Sequence, residues 1–285
     1  MANTTSNYVA ADGVSFFYRE AGAKTAPTIL LLHGFPSSSH QYRNLIPLLS
    51  QQYHVVAPDL PGFGFTEVPE DRQYVYTFEN LTTSVEAFVD ALELKKFSIY
   101  IFDYGAPTGL RLALRRPEAV QAIITQNGNA YVEGLGPFWE PLLSWWKSGS
   151  NEEREGIRAG FLSFEPTKWQ YTVGTNVTVA PEAYYLDFAL LERPGNQEIQ
   201  LALFYDYQNN IKLYPEFHTY FRKFQVPVLA AWGKNDPIFI SEGAEAFKRD
   251  TEAEVHLLDA GHFAVETNTS EIADLILKFL AKNGI

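Results

Sequence analysis

The sequence predicts an α/β fold in which a mostly parallel sheet is flanked by helices and interrupted by a helical insertion. Short apolar runs rich in β-branched residues alternate with longer amphipathic stretches, which is typical of strand–helix–strand units around a buried sheet. This alternation stops after Asn129, and strand-like runs resume at Val226. A length of 285 residues suits one such domain with an insertion.

The part of the chain before Asn129 supplies most of the predicted sheet. A helix is predicted over Thr77–Leu94, because apolar residues recur there with a spacing close to 3.6. A second helix is predicted over Gly105–Arg115, with Pro107 in the first turn, where proline is tolerated. Four short apolar runs predict strands: Thr28–Leu32, His54–Pro58, Phe97–Phe102 and Val120–Thr125.

The stretch from residue 130 to residue 220 is aromatic and irregularly helical, and it contains four of the five tryptophans. We predict a helical cap domain over 130–220, lying above a pocket, and an α/β core domain formed by 1–129 and 221–285. After the cap we predict two strands and two helices, in the order Val226–Trp232, Glu242–Arg249, Ala253–Leu258 and Ser270–Lys282.

Composition excludes several classes of protein. A net charge of −12 without any basic run argues against nucleic acid or an anionic membrane as a partner. The absence of cysteine excludes a disulfide scaffold, a thiolate metal site and a cysteine nucleophile. The N-terminus lacks the basic patch and apolar core of a signal peptide, and the longest apolar runs are too short to cross a bilayer. We therefore expect a cytoplasmic protein, whose oligomeric state neither length nor charge determines.

No cofactor is predicted. The histidines are scattered, and the sequence contains neither a His-Glu-x-x-His motif nor a carboxylate cluster that would bind a metal. No Gly-x-Gly-x-x-Gly motif follows a strand, so a dinucleotide is not implied either.

The segment Ile99–Gly109 has the layout of a nucleophile elbow, in which a sharp strand-to-helix turn exposes one side chain above the sheet. A strand-like run ends at Asp103, Gly105 follows two residues later, and a helix begins there. The upstream position that usually holds glycine is Ile101, and the elbow residue is an aspartate rather than a serine. On this segment alone, Asp103 could equally be a helix N-cap.

Two later segments favour catalysis. Asp236 follows one predicted strand in Gly233-Lys-Asn-Asp236, and His262 follows the next one in Leu258-Asp-Ala-Gly-His262. Functional groups gather outside the carboxyl ends of parallel strands, so Asp103, Asp236 and His262 are expected to meet. Their order along the chain is nucleophile, acid, histidine.

The turn Leu32-His-Gly-Phe-Pro36 ends the first long apolar strand. Its glycine and proline fix a bend whose backbone N–H groups can point toward the nucleophile. We predict that the N–H groups of Phe35 and Tyr104 form an oxyanion hole.

Together these motifs resemble the α/β-hydrolase superfamily and, within it, the branch of epoxide hydrolases and haloalkane dehalogenases. The resemblance covers the whole chain, and its insertion corresponds to the cap domain of that family. It implies an α/β-hydrolase fold and an aspartate nucleophile. The residues that carry it are His33-Gly-Phe-Pro36, Asp59-Leu-Pro-Gly-Phe-Gly64, Phe102-Asp-Tyr-Gly105, Gly233-Lys-Asn-Asp236 and Gly261-His262.

An aspartate nucleophile restricts the substrate. Attack by Asp103 on an ester carbonyl would give an anhydride, whereas attack on an electrophilic sp³ carbon gives an alkyl ester. Water activated by His262, which Asp236 orients, would then hydrolyse that ester. The sequence thus favours a small apolar epoxide or a similar sp³ electrophile as substrate. Alternatives are a haloalkane or haloacid dehalogenase, an acyl hydrolase for esters or lactones, and a non-catalytic ligand-binding homologue.

The leaving group distinguishes these substrates. Dehalogenases of the family hold halide with an asparagine in the His-Gly-x-Pro turn and a tryptophan after the nucleophile, and this chain has Phe35 and Tyr104 there. Fluoroacetate dehalogenases place an arginine after the nucleophile, which Tyr104 replaces. Epoxide hydrolases protonate the leaving oxygen with a cap tyrosine. By resemblance that residue is Tyr207, with Tyr131 or Trp139 as a partner from the early cap.

Overall fold

A computed structural model of the protein describes residues 3–285, so residues 1 and 2 of the predicted core domain lie outside the described part. One eight-stranded sheet runs through the described residues, in the order β1-β2-β4-β3-β5-β6-β7-β8. Its strands are β1 (Thr5–Ala11), β2 (Val14–Ala21), β3 (Thr28–Leu32), β4 (His54–Pro58), β5 (Phe97–Ile101), β6 (Val120–Thr125), β7 (Val228–Gly233) and β8 (Glu254–Leu258).

Six of these strands, β3 to β8, run parallel to one another, and the N-terminal hairpin pairs antiparallel with β4 at one edge. The side chains of the central strands β3, β4 and β5 are buried along their whole length. Burial on both faces explains why these strands are recognisable as continuous apolar runs.

Twelve α-helices connect and cover the strands within residues 3–285, with five short 3₁₀ turns between them. Helices α4 to α9 all lie between β6 and β7. The helices are α1 (Ile46–Leu49), α2 (Phe78–Ala91), α3 (Gly105–Arg115), α4 (Glu140–Ser148), α5 (Asn151–Phe161), α6 (Phe164–Thr172), α7 (Pro181–Leu191), α8 (Asn196–Asp206), α9 (Gln208–Phe224), α10 (Ser241–Ala246), α11 (Ala264–Thr267) and α12 (Thr269–Lys282).

The sheet separates two apolar layers. Alternate residues of β3 and β5 point to opposite faces, so Leu30 and Ile99 belong to one layer and Ile29 and Tyr100 to the other. The first layer includes apolar residues of α2, α3 and the helices between β6 and β7, and the second includes those of α1 and α12. Helices on both faces of a mostly parallel sheet confirm the predicted fold class.

The helical insertion contains six helices, and its last helix, α9, continues to Phe224, four residues past the predicted cap boundary. Helix α9 packs against α3, the helix that follows Asp103, through the apolar side of a 17-residue amphipathic helix. None of the helices in residues 3–285 has the length and apolar character needed to cross a membrane.

Candidate active site

Asp103 lies between β5 and α3 with a left-handed backbone, φ 46°. L-residues other than glycine rarely adopt this conformation, although aspartate tolerates it better than most. The turn brings α3 close to β3: a Cβ atom on Gly105 would lie 2.1 Å from the carbonyl oxygen of Leu32. Glycine is therefore required at position 105, and the crowded turn holds Asp103 above the carboxyl end of the sheet.

Two backbone N–H groups act on the Asp103 carboxylate. The N–H of Phe35 donates a hydrogen bond to Oδ1 at 2.7 Å, and the N–H of Tyr104 lowers the pKa of the same carboxyl. A β-turn closed by the Ser37 N–H and the Gly34 carbonyl presents Phe35. These are the two groups predicted for an oxyanion hole, and the structure brings both to Asp103.

His262 faces Asp103 from the loop after β8. Its Nδ1 lies 2.7 Å from Asp236 Oδ2, and its Nε2 lies 3.9 Å from Asp103 Oδ2. Within residues 3–285, Nε2 has no hydrogen-bond partner. All three side chains are buried, with Asp103 6% exposed. The structure therefore brings together the three predicted catalytic residues and leaves Nε2 facing Asp103.

Two polar residues at the end of β6, which the sequence analysis did not identify, hold this group in place. The Asn127 side chain donates to Asp236 Oδ2 at 2.7 Å and accepts from the Gly233 N–H at 2.8 Å. The Gln126 side chain donates to the His262 carbonyl at 2.8 Å. The available signal was the run Gln126-Asn-Gly-Asn129, an uncharged polar sequence directly after a buried strand.

Burial and nearby charges have opposite effects on the pKa values of Asp103 and His262. Burial raises the pKa of Asp103 to about 6, although His262 and the two backbone N–H groups act to lower it. Burial lowers the pKa of His262, but the Asp236 carboxylate and, to a smaller extent, Asp103 raise it above its usual value. Asp103 is therefore mostly ionised at neutral pH, which a carboxylate nucleophile requires.

Comparison with known proteins agrees with this geometry. Residues 27–269 match the family described as the alpha/beta hydrolase fold. The chain belongs to the α/β-hydrolase family. An uncharacterized hydrolase of Saccharomyces cerevisiae, YNR064C, is 51% identical over 278 residues, which is 95% of either chain. The predicted family and the predicted enzyme class, hydrolase, are thereby confirmed.

More distant similarities extend to haloalkane dehalogenases and to an epoxide hydrolase structure. A haloalkane dehalogenase of Psychrobacter cryohalolentis is 26% identical in sequence, and the match covers 93% of this chain and 87% of the dehalogenase. The solved structure of the epoxide hydrolase CorEH superposes with a TM-score of 0.79 at 21% identity, covering 98% of this chain and 99% of the other. The chain is thus similar in sequence to a haloalkane dehalogenase and in fold to an epoxide hydrolase.

The inserted helices supply an aromatic surface next to these residues. The ring of Tyr207, between α8 and α9, lies 5.9 Å from the ring of Tyr104 and 6.4 Å from that of Phe239. Phe239 in turn lies 6.1 Å from the His262 ring. The Tyr207 hydroxyl is buried and makes no hydrogen bond to any described residue. Burial, the neighbouring Tyr214 and the Asp103 charge raise its pKa well above the usual value.

The two other predicted cap residues lie differently. The Trp139 ring packs against Tyr207 in a tilted arrangement, with 4.6 Å between ring centroids, and its indole N–H donates to the Ile238 carbonyl at 2.8 Å. Tyr131 is stacked on His218, and its hydroxyl donates to Asp250 at 3.0 Å. The structure thus brings Trp139 but not Tyr131 next to Tyr207. In residues 3–285 there is no group of three His, Asp or Glu side chains that could hold a metal.

Proposed function

We propose that this hydrolase opens small apolar epoxides to diols through an alkyl ester on Asp103. The observation that best supports this proposal is that the two carboxylate oxygens of Asp103 have different neighbours. Oδ1 accepts a hydrogen bond from Phe35 at 2.7 Å, and Oδ2 lies 3.9 Å from His262 Nε2. One carboxyl oxygen thus lies in an oxyanion hole, and the histidine is positioned for a later step rather than for activating the nucleophile.

In the first step, Asp103 attacks a ring carbon of the epoxide. The bond from carboxylate oxygen to carbon forms while the carbon–oxygen bond of the ring breaks. The leaving oxygen takes a proton from the Tyr207 hydroxyl, so that a hydroxyalkyl ester and a phenolate result. General acid catalysis matters here, because an alkoxide is a poor leaving group.

In the second step, water attacks the ester carbonyl and gives one proton to His262. The N–H groups of Phe35 and Tyr104 stabilise the negative oxygen of the tetrahedral intermediate. Collapse releases the diol and restores the Asp103 carboxylate, and the proton on His262 returns to the phenolate through solvent. Asp236, held by Asn127 and by the Ile238 N–H, keeps Nδ1 protonated so that Nε2 can accept the proton.

The donors near Asp103 favour an epoxide over an alkyl halide. Halide ions are held by N–H donors that remain available, but three indole N–H groups around the site already donate to backbone carbonyls. They belong to Trp139, Trp146 and Trp232, which donate to Ile238, Phe204 and Phe239. Tyr207 has a buried hydroxyl with no partner in residues 3–285, and a phenol suits an oxygen leaving group.

The surroundings of the nucleophile favour an apolar substrate. The rings of Phe35 and Phe204 lie 4.9 Å apart, and both lie within about 6 Å of the Tyr104 ring. Such an aromatic lining selects for shape and apolar surface rather than for charge. We further propose that residues 130–220 act as the cap domain, since the inserted helices supply Phe204, Tyr207 and Trp139 to this space.

The first experiment compares wild type with His262→Gln after exposure to styrene oxide or 1,2-dibromoethane, at high enzyme concentration. Intact mass and peptide mapping follow the ester, and product analysis follows the diol or alcohol. Wild type should produce the diol, and the variant should accumulate an adduct on Asp103 with the epoxide. Asp103→Asn should give neither product nor adduct, with an unfolding temperature no lower than that of wild type as the check on folding.

Other outcomes separate the alternatives. An adduct with the bromide alone would make a dehalogenase the better description, despite Phe35 and Tyr104. Hydrolysis of an ester or lactone without any adduct would indicate an acyl hydrolase. Ligand binding that Asp103→Asn leaves unchanged, with no turnover of any of these substrates, would indicate a binding protein.

A further inference from the structure

The segment Tyr171–Gly174, at the end of helix α6, contacts three loops that carry the candidate catalytic residues. The Tyr171 hydroxyl lies 3.2 Å from Ser37 Oγ, next to the oxyanion turn. The Tyr171 ring stacks on Phe263, which follows His262, at 3.7 Å between centroids. Asn235, which precedes Asp236, donates to the last carbonyl of the segment at 2.9 Å. A single stretch of the insertion thus reaches the oxyanion turn, the base and the acid.

Asp187 lies behind this segment on helix α7, and its side chain is fully buried. The Tyr171 hydroxyl makes a short hydrogen bond to Asp187 Oδ2, while Oδ1 has no hydrogen-bond partner in residues 3–285. Within those same residues, no lysine, arginine or histidine forms an ion pair with Asp187. Hydrogen bonds from Tyr171 and Ser37 act to keep Asp187 ionised, but burial without a cationic partner outweighs them, so the neutral acid is the stable form.

The charges around Asp187 act in the same direction. Glu266 on helix α11 forms an ion pair with Arg43 at 2.7 Å. Arg43 therefore already has a carboxylate partner other than Asp187. Burial of the imidazole lowers the pKa of His40 to about 4, which leaves it uncharged. The pKa of Asp187 is raised to about 8, and burial is the largest cause. The hydrogen bonds from Tyr171 and Ser37 act to lower it, and the carboxylates of Glu266 and Asp59 act to raise it.

We propose that Asp187 is a positioning residue that works as a neutral acid, holding the oxyanion turn through Tyr171 and Ser37. This inference rests on the proposed function, because it concerns the same oxyanion hole. The Tyr171 hydroxyl has one proton and two neighbouring oxygen atoms, Asp187 Oδ2 and Ser37 Oγ. When the neutral Asp187 donates to the Tyr171 oxygen, the Tyr171 proton is available to Ser37.

The connection from Ser37 to the reacting atoms is short. The Ser37 N–H donates to the Gly34 carbonyl at 2.9 Å and closes the turn that presents Phe35. The Phe35 N–H then donates to Asp103 Oδ1 at 2.7 Å. A shift of Ser37 would therefore alter the donor that stabilises charge in ester hydrolysis, whereas the attack by Asp103 would depend on it less.

Ionisation of Asp187 would disturb this connection. A negative charge there would be buried near Glu266 and Asp59 with no basic partner among the described residues, and the α6 end segment would have to move to hydrate it. We therefore expect hydrolysis of the alkyl ester to slow at alkaline pH.

The experiment follows ester formation and ester hydrolysis separately in single turnovers of styrene oxide between pH 6 and pH 10. Asp187→Asn keeps a neutral donor toward Tyr171, so it should retain neutral-pH hydrolysis within about threefold and lose the alkaline decline. Asp187→Ala should slow hydrolysis about tenfold at neutral pH and should also lack the alkaline decline. Tyr184→Phe is the matched control, because that ring lies 6.1 Å from Tyr171 and its hydroxyl does not take part in this network.

Hydrogen exchange provides a readout that needs no substrate. After correction for the intrinsic pH dependence, the peptide covering residues 33–39 should lose protection in wild type between pH 7 and pH 9, but not in Asp187→Asn. Asp187→Ala should show low protection there at both pH values, and Tyr184→Phe should match wild type.

Either of two results would overturn the inference: Asp187→Asn showing the same alkaline decline as wild type, or equal protection of residues 33–39 in wild type and Asp187→Ala. If wild type forms no ester with the epoxide, the proposed substrate is wrong. Hydrogen exchange alone then decides whether Asp187 holds the turn.

Discussion

Buried polar side chains lie on two sides of the proposed substrate space, and the two sides differ in how they are held. On the sheet side, Asn127, Asp236 and His262 form a network of hydrogen bonds with one another and with the backbone. On the helix side, the Tyr207 hydroxyl and both amide atoms of Asn210 make no hydrogen bond to any residue in 3–285. The sheet side is thus held in place by the protein itself.

This difference assigns different tasks to the two sides. A buried polar atom without a partner costs about 1–3 kcal/mol, so groups of this kind are retained where something else completes them. The sheet side provides fixed geometry for steps that every substrate shares. We expect the helix side, whose polar groups have no partner in residues 3–285, to interact with water or a bound substrate and to determine selectivity for the leaving group.

The largest effect should come from Tyr207→Phe. If its hydroxyl protonates the leaving oxygen, the variant should form the Asp103 ester from an epoxide about 100-fold more slowly. Hydrolysis of an ester already formed should be unchanged. Single-turnover mass measurements separate the two phases, with Tyr205→Phe as the control, which removes a hydroxyl from an exposed position of helix α8. Equal slowing of both phases would argue against a role as acid.

Asn127→Leu should have the next largest effect, because it removes a fixed group from the sheet side. Asp236 would lose one donor, and the Gly233 N–H would lose its acceptor. We expect ester hydrolysis to fall about 10- to 100-fold and the free energy of unfolding to fall by about 1–3 kcal/mol. Denaturant unfolding and single-turnover kinetics measure the two losses. Wild-type hydrolysis in this variant would show that Asp236 needs no support.

The pH dependence should differ between the two chemical phases. Asp103 attacks as a carboxylate and its pKa is about 6, so ester formation should fall about tenfold per pH unit well below pH 6 and level off above it. Hydrolysis needs neutral His262, whose pKa is raised, so it should rise with pH through a value above 6.5. Rapid-quench measurements from pH 4.5 to pH 8 test both, and ester formation that is flat over this range would contradict the first expectation.

The smallest effect should come from Asn210→Leu, the counterpart of the Asn127 variant on the helix side. Because neither amide atom has a partner among residues 3–285, an apolar side chain of similar size should leave the free energy of unfolding unchanged or raise it by up to about 1 kcal/mol. Denaturant unfolding of both leucine variants provides the comparison. A loss at position 210 as large as that at position 127 would show that the two sides are held equally.

Differences in burial also explain which strands could be predicted from the sequence. The predicted strands Thr28–Leu32, His54–Pro58 and Val120–Thr125 have the observed bounds, because fully buried strands appear as unbroken apolar runs. The N-terminal hairpin was not predicted, since β1 at the sheet edge has exposed and half-buried residues. Its signal was the dipeptide Asp12-Gly13, in which both residues have positive φ and turn the chain between β1 and β2.

The position in the fold also decided which residues of the candidate site could be predicted from the sequence. Asp103, Asp236 and His262 could be located because each follows a predicted strand, and parallel strands deliver such residues to one edge. The support from Asn127 and the network of Tyr171 with Asp187 could not be predicted. They depend on side chains far apart in the chain, whose contacts arise only from the packing of the inserted helices and loops.

The raised pKa of Asp103 also affects the folding stability of the protein. Its carboxyl has a pKa of about 6 in the folded protein and about 3.9 in an unfolded chain, so keeping it ionised at neutral pH costs about 3 kcal/mol of folding stability. That stability is present in acid and is lost as the pH rises through 6. Its left-handed backbone adds about 1 kcal/mol of strain. An uncharged residue at position 103 would avoid the cost of ionisation, whereas the proposed attack on an epoxide requires the carboxylate.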